Sequence, residues 1–179
     1  MRRFLTDVVN PAPRIFLVGP MGAGKSTVGR ALAAELAASF YDSDREIELR
    51  AGADIPWIFE IEGESGFRER EHRILSSLCE EAPAVIATGG GAVVTEANRM
   101  LMATSGFVVY LEATVKEQVR RTKKDEKRPL LAGKNRQEVL AELMKTREPL
   151  YLEVADLVLP TAGRNARELA QEIMEALPA

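Results

Sequence analysis

Cysteine and histidine are almost absent from the 179-residue sequence, which contains only Cys79 and His72. A single cysteine cannot form an intrachain disulfide, and one cysteine with one histidine cannot supply the usual ligands of a zinc site. A serine–histidine–aspartate hydrolase also finds no support. We therefore interpret Cys79 as a residue on a helix face and His72 as an exposed polar residue of a helix.

Long apolar runs are also missing, because no stretch approaches the ~20 residues that a membrane-spanning helix needs. Residues 1–10 are basic but lack the apolar core and small-residue cleavage site of a secretory signal. The net charge of −3 gives no global positive excess for nucleic-acid binding. We expect one monomeric domain, 1–179, in the cytoplasm, with small-molecule partners and neither a nucleic-acid nor a membrane partner.

Short apolar segments alternate with segments of helical periodicity along the chain. Strands are predicted at residues 14–18, 40–41, 84–88, 107–111 and 157–159. Helices are predicted at residues 25–38, 45–50 and 64–80, after a cap at Asp54, around 100–102, and at 139–144 and 166–177. Strands that alternate with helices indicate a parallel sheet covered on both faces. The sequence therefore predicts a three-layer α/β/α fold with a central five-stranded parallel sheet.

The charged segment 116–136 departs from this pattern. It is poor in core residues and is interrupted by Pro129 and Gly133, so we interpret it as a mobile cover over a site, with a lid at about 122–136. The helix that contains Arg147 is expected to end before Pro149, because proline disrupts a helix interior.

Residues 19–26, Gly-Pro-Met-Gly-Ala-Gly-Lys-Ser, match the full pattern of a phosphate-binding loop between a strand and a helix. Its backbone N–H groups and the helix dipole suit the phosphates of a nucleoside triphosphate. Lys25 would neutralise the β and γ phosphates, and the Ser26 hydroxyl would coordinate Mg²⁺. The predicted nucleotide contacts are Gly22, Ala23, Gly24, Lys25, Ser26 and Thr27.

Two aspartates, Asp42 and Asp44, directly follow the second predicted strand. The carboxyl ends of parallel strands form the usual ligand-binding edge, so a carboxylate there could hold Mg²⁺ through water or accept the proton of an attacking hydroxyl. The alternative is that an aspartate caps the following helix, and the two roles can coexist.

Three consecutive glycines, Gly89, Gly90 and Gly91, follow the third predicted strand, where they can present bare N–H groups to a ligand. A structural turn needs only one glycine, so we favour ligand contact. The aspartate that often supports Mg²⁺ near this strand is absent, and Asp42 is the candidate to replace it.

Arginines are numerous, and surface arginines are mostly solvated charge. Arg68, Arg70 and Arg73 lie on one predicted helix beside four glutamates. Taken alone, this pattern favours a salt-bridged helix face. Trp57 and Phe59 are interpreted as core or pocket-wall residues.

Together these blocks resemble the shikimate kinase family, from about Arg14 to the final helix. The matching segments are residues 16–27, 40–44, 66–71, 87–93, 128–131 and 147–151. The resemblance implies a P-loop kinase fold of the nucleoside monophosphate kinase type. Its core would comprise about 14–43, 84–114 and 137–179, and its substrate-binding subdomain about 44–80.

The resemblance also implies transfer of the γ-phosphoryl group of ATP to the 3-hydroxyl of shikimate, giving ADP and shikimate 3-phosphate on the route to chorismate and the aromatic amino acids. By the family's pattern Arg68 and Arg147 bind the shikimate carboxylate, which replaces the salt-bridge interpretation for Arg68 alone. Asp44 holds the hydroxyls and serves as base, and the three glycines contribute backbone contacts.

The family's pattern implies three further nucleotide contacts. Arg128, on a loop that closes over ATP, would stabilise the phosphoryl group during transfer. Arg121 is similar to the residue that stacks on adenine, and Arg164 to one at the edge of the adenine pocket, although Ala166 stands where the family often has proline.

Two alternatives stay open at this point. Another small-metabolite kinase, such as a gluconate kinase, would share the phosphate loop but would need no carboxylate-binding pair of arginines. A non-catalytic nucleotide-binding module would belong to a different class, but the presence of Lys25, Ser26, Asp44 and Arg128 argues against it.

Overall fold

Five parallel strands form the centre of the fold in the computed structural model, which describes residues 14–123 and 135–178. The sheet order is β2-β3-β1-β4-β5. The strands are β1 (Arg14–Val18), β2 (Ser39–Asp42), β3 (Ala84–Ala87), β4 (Phe107–Glu112) and β5 (Leu157–Pro160). This arrangement confirms the predicted fold class. Arg128 and most of the predicted lid lie outside the described residues.

Helices cover both faces of the sheet. They are α1 (Lys25–Glu35), α2 (Ser43–Ala51), α3 (Ile55–Leu78), α4 (Glu96–Ser105), α5 (Val115–Thr122), α6 (Arg136–Val154) and α7 (Ala166–Ala176), with a short 3₁₀ turn at Ala92–Val94. Within residues 14–123 and 135–178, none of these helices has both the length and the apolar character needed to cross a bilayer.

Alternating side chains of the strands divide the core into two layers, as the two-residue period of a strand requires. Phe16 and Tyr110 face a layer that also contains buried residues of α2, α3, α4 and α6. Ile15 and Val109 face the opposite layer, which α1 and α7 cover. Because both faces are buried, β1 and β4 are almost continuously apolar.

The helix α3 consists of two helical segments that meet at Gly63, where φ is 69° and the backbone is not helical. Asp54 caps the first segment by accepting a hydrogen bond from Trp57 N at 3.0 Å, and the break agrees with the predicted helix start at residue 64. Phe59 packs on the core and against Phe67, but Trp57 is 52% exposed. Trp57 is therefore not a core residue, and its alternative role in a pocket wall stays a prediction.

The helix α5 corrects the prediction that the cover begins at residue 116. Thr114 accepts a hydrogen bond from Glu117 N at 3.3 Å, and the Glu117 carboxylate accepts one from Thr114 N at 3.2 Å, which forms a capping box. Gln118 and Thr122 are buried despite being polar. The hydrophobic pattern of this helix is weak, because its two fully buried side chains are polar and its apolar residues Val115 and Val119 are only partly buried.

The helix α6 continues through Pro149 to Val154, so the predicted end before Pro149 is wrong. Proline removes the hydrogen bond to the carbonyl four residues earlier, that of Lys145. Pro149 and Lys145 are both exposed, so water can satisfy that carbonyl. The burial of Tyr151 in the core stabilises the extra turn.

The capping box gives a direct test of how α5 is held. Thr114→Ala should lower the free energy of unfolding by about 1 kcal/mol, because it leaves the first turn without its side-chain cap. Thr104→Ala is the matched control, since Thr104 lies exposed inside α4 and its hydroxyl bonds only to carbonyls of its own helix. Urea unfolding measures both changes, and an equal cost for the two variants would contradict this role of the cap.

Candidate active site

The phosphate-binding loop connects β1 to the first turn of α1. Gly19 has a φ of 143°, and a Cβ atom there would lie 2.4 Å from Leu111 O, so only glycine fits. Lys25 Nζ donates to Gly19 O at 2.7 Å and to Pro20 O at 2.9 Å. The lysine ammonium is thereby held beside the loop whose N–H groups would bind phosphate.

Asp42 joins the end of β2 to this loop. Its Oδ2 accepts a hydrogen bond from Ser26 Oγ at 2.6 Å, while its Oδ1 accepts from the backbone N–H groups of Asp44 and Arg45 at the start of α2. The capping role is therefore confirmed for Asp42, and it leaves the second carboxylate oxygen directed at Ser26.

The donor chemistry of Ser26 and Asp42 fits magnesium, which prefers oxygen ligands and usually shares them with substrate phosphates. In the part of the chain that the structure describes, no group of three or more histidine, cysteine, aspartate or glutamate residues could hold a metal by itself. A cation here would thus depend on phosphate oxygens as well as on the protein. The predicted metal role of both residues stays a prediction.

The glycine run after β3 gives space to two charged side chains. A Cβ atom on Gly89 would lie 2.5 Å from Asp44 Oδ1, and one on Gly91 would lie 2.6 Å from Arg68 Nη2. Both approaches are too close for any larger residue. Gly89 N also donates to Ser43 Oγ at 3.0 Å, which ties the run to the start of α2. The structure thus brings Asp44, Arg68 and the glycines together.

The three arginines of α3 all form ion pairs, but their environments differ. Arg70 pairs with Glu62 and Arg73 with Glu69 in exposed positions, which confirms the salt-bridged face for both. Arg68 also forms ion pairs, so the salt-bridge interpretation was correct for it too. Its guanidinium donates to Glu71 Oε2 at 2.9 Å and to Glu64 Oε1 at 3.2 Å, but it is largely buried at the sheet edge.

Glu71 is a site residue that sequence reasoning missed. It is fully buried, and its Oε1 has no hydrogen-bond partner among the described residues. Burial raises the pKa of Glu71 to about 7; attraction to Arg68 opposes the rise, and the nearby Asp44 charge adds to it. The available signal was its spacing of three residues from Arg68, which places both on one face of α3.

Arg147 enters the site from α6. It is only 8% exposed, and its Nη1 lies 3.8 Å from the position that a Cβ atom on Gly90 would occupy. One turn later Tyr151, which sequence reasoning did not assign to the site, donates from its hydroxyl to Gly90 O at 2.5 Å. Arg68 and Arg147 therefore approach the same glycine run from two different helices.

Arg121 lies on α5 behind the phosphate loop. Its Nη1 donates to Gly22 O and to Thr161 Oγ1, each at 2.9 Å, so it connects the loop to the residues after β5. Arg164 forms an ion pair with Glu172 of α7. Both arginines border the loop or the carboxyl end of β5, and their predicted adenine contacts stay predictions.

The lone histidine lies outside this site and is not an exposed residue as expected. His72 is half-buried, and its Nδ1 is 2.8 Å from Oδ1 of the buried Asn98, which links α3 to α4. Cys79 is buried directly after α3, where its backbone N–H caps the helix end. Neither residue contributes a reactive group to the sheet edge.

Two sets of groups thus face each other at the carboxyl edge of the sheet. One set, the phosphate loop with Lys25, Ser26 and Asp42, suits a nucleoside triphosphate. The other set contains Asp44, Arg68, Arg147 and the glycine run, which suit a small anion bearing hydroxyls. Such an arrangement can bring a phosphoryl donor and an acceptor alcohol together.

The family model for shikimate kinase matches residues 21–178 of the chain. A shikimate kinase of Pseudomonas paraeruginosa is 56% identical over 163 residues, which cover 91% of this chain and 95% of that protein. One from Histophilus somni is 53% identical over 91% of this chain and 94% of its own. The solved shikimate kinase of Acinetobacter baumannii in complex with shikimate superposes with a TM-score of 0.89 at 51% identity, covering 92% of each chain.

The raised pKa of Glu71 has a measurable effect on stability. An unfolded chain has the ordinary glutamate pKa of 4.5, whereas the folded value is about 7. Between these values the folded state holds a proton that the unfolded state has lost, so the free energy of unfolding falls as the pH rises through this window. The contribution is fully present below pH ~4.5 and is lost above about 7.

Glu71→Gln should remove this dependence, because glutamine does not titrate. Urea unfolding at several pH values between 5 and 7 should show a slope that is shallower than in the unmodified protein by up to about 1 kcal/mol per pH unit. Glu69→Gln, at an exposed ion pair of the same helix, is the control and should keep the slope. An unchanged slope in Glu71→Gln would contradict the raised pKa.

Proposed function

The chain belongs to the shikimate kinase family, and on this basis we propose which residues bind the substrates and which catalyse the transfer of the γ-phosphoryl group of ATP to the 3-hydroxyl of shikimate. The products are ADP and shikimate 3-phosphate. The observation that carries the assignment of residues is the convergence of Arg68 and Arg147 on one glycine run beside Asp44, opposite the phosphate loop.

The phosphate loop binds the donor. Its backbone N–H groups and the amino end of α1 attract the triphosphate, and Lys25 is close enough to exchange its bonds to Gly19 O and Pro20 O for bonds to phosphate oxygens. Phosphoryl transfer requires little covalent chemistry from the protein, so holding charge and geometry is the main task of these groups. Ser26 and Asp42 would hold Mg²⁺, which when bound neutralises charge on the phosphates.

The glycine run and its arginines bind the acceptor. Arg68 and Arg147 present planar guanidinium groups that suit the carboxylate of shikimate, and Gly90 offers its backbone between them. Asp44 accepts a hydrogen bond from the 3-hydroxyl and takes its proton as the oxygen attacks the γ-phosphorus. The bond between that phosphorus and the bridging oxygen of ADP breaks as the new bond forms.

Two further arginines, Arg128 and Arg121, are proposed to contact the nucleotide. Arg128 would reach the phosphoryl group in transfer when its segment closes, and closure would exclude water that could hydrolyse ATP. Arg121 is already held against the loop by Gly22 O, so its remaining guanidinium surface is available to stack on adenine. Arg164 would border the same base.

A comparison of acceptors tests the proposed function. ADP release from Mg²⁺-ATP is measured with shikimate and, separately, with gluconate. Shikimate should support turnover far above the background without acceptor, because its carboxylate can bind both arginines while its 3-hydroxyl reaches Asp44. Turnover with gluconate and none with shikimate would refute the proposal, and no turnover with either acceptor would favour a non-catalytic nucleotide-binding module.

Arg68→Ala should weaken shikimate binding by about 2 kcal/mol, roughly 30-fold, because a charge-assisted partner of the carboxylate is lost. The affinity for ATP should change less than about twofold, since Arg68 lies on the acceptor side. Arg70→Ala is the control, because Arg70 pairs with Glu62 on the surface of the same helix. Titration calorimetry with each ligand measures the effect. Equal losses of affinity for ATP and for shikimate would contradict the proposed role of Arg68 in binding the carboxylate.

Asp44→Asn should lower kcat by at least about 100-fold, because an amide cannot accept the hydroxyl proton. Shikimate affinity should fall much less, since the amide oxygen can still accept a hydrogen bond. Asp54→Asn is a suitable control, because Asp54 caps α3 and asparagine caps equally well. Steady-state kinetics decide, and a kcat near that of the unmodified enzyme would remove Asp44 from the role of base.

A further inference from the structure

We propose that Tyr151 is a positioning residue of the acceptor site, whose hydroxyl holds Arg147 and the Gly90 peptide in the arrangement that receives the shikimate carboxylate. This inference rests on the proposed function. It adds to the reaction a residue that touches neither ligand and acts through two groups that do.

The Tyr151 hydroxyl contacts the glycine run directly and lies close to Arg147. It donates to Gly90 O at 2.5 Å, and the nearby Arg147 guanidinium opposes the rise that burial causes in the pKa of Tyr151. The two residues are four positions apart on α6, so their side chains lie one above the other on the same face of the helix. The Tyr151 hydroxyl therefore connects α6 to Gly90 O, while the Arg147 Nη1 lies 3.8 Å from the position of a Cβ atom on the same glycine.

Both partners need such a constraint. A free arginine side chain has much rotamer entropy to lose on binding, and a glycine peptide has more conformational freedom than any other. A hydroxyl that fixes both before the substrate arrives lowers the cost of binding. Because the peptide bond is trans and planar, holding Gly90 O also fixes the direction of the N–H group of Gly91.

The surroundings keep the hydroxyl in place. Tyr151 is fully buried, and its ring stacks on Tyr110 with centroids 5.0 Å apart and an interplanar angle of 23°. The Tyr110 ring in turn lies 3.5 Å from the position of a Cβ atom on Gly19. Burial raises the pKa of Tyr151 to about 12, so the hydroxyl keeps the proton that it donates to Gly90 O.

The stack also provides a matched control. The Tyr110 hydroxyl is buried and has no hydrogen-bond partner within the described residues, whereas the Tyr151 hydroxyl donates to Gly90 O. Tyr110→Phe and Tyr151→Phe thus each remove one hydroxyl and retain both rings. A general effect of deleting a buried hydroxyl would appear in both variants, and an effect on the acceptor site only in Tyr151→Phe.

The test measures the dissociation constants of shikimate and of ATP, together with kcat and KM, for both variants. Tyr151→Phe should weaken shikimate binding about tenfold and raise its KM similarly, with ATP affinity within twofold and kcat within about threefold. This split is expected because the carboxylate lies away from the reacting hydroxyl. Tyr110→Phe should leave all four values within twofold.

A double-mutant cycle tests whether Tyr151 acts through Arg147. In an Arg147→Ala background, Tyr151→Phe should weaken shikimate binding by less than threefold. A full tenfold effect there, unchanged shikimate affinity in Tyr151→Phe alone, or equal losses for ATP and shikimate would each overturn the inference. Failure of the unmodified enzyme to bind shikimate would instead overturn the proposed function.

Discussion

The parallel pairing of β2, β3 and β1 is the constraint on which the rest of the structure depends. Leu17 pairs with Ala87, and Asp42 pairs with the same residue from the other side, so three chain segments leave the sheet at one level. The phosphate loop, the start of α2 and the glycine run are these segments. Shifting one strand by a residue would turn its side chains to the other face of the sheet. The register therefore sets the distance between donor and acceptor groups.

Electrostatics then decides what this edge can bind. Removing charges from water costs several kcal/mol per ion unless opposite charges lie close by. Charges of both signs lie together beside the glycine run, namely those of Asp44, Arg68, Glu71 and Arg147. Burial raises the pKa of Glu71 to about 7, so this carboxylate neutralises the neighbouring arginines less completely than an ordinary glutamate would. In the proposed complex the shikimate carboxylate supplies further negative charge beside Arg68 and Arg147. The positive charge of these two buried arginines thus favours an anionic substrate.

The sequence was sufficient for the features that depend on local rules. The phosphate loop, the strands and the position of the glycine run follow from short patterns, and the cap at Asp54 follows from one residue type. Features that depend on tertiary packing were missed. The helix α5 buries polar residues. The helix α6 continues through Pro149, because the buried Tyr151 stabilises its last turn. In the sequence Glu71 cannot be distinguished from other charged residues of a helix, because only the fold shows that it is buried.

In the proposed mechanism this edge of the sheet directs the phosphoryl group of ATP to one hydroxyl of one acceptor. The position of phosphate in the product tests this mechanism most directly. After incubation with shikimate and Mg²⁺-ATP, the purified product is examined by ³¹P and ¹H NMR for coupling between phosphorus and the ring protons. A single phosphate ester coupled to the proton on carbon 3 is expected. A phosphate on another hydroxyl, a mixture of esters, or release of inorganic phosphate alone would contradict this mechanism.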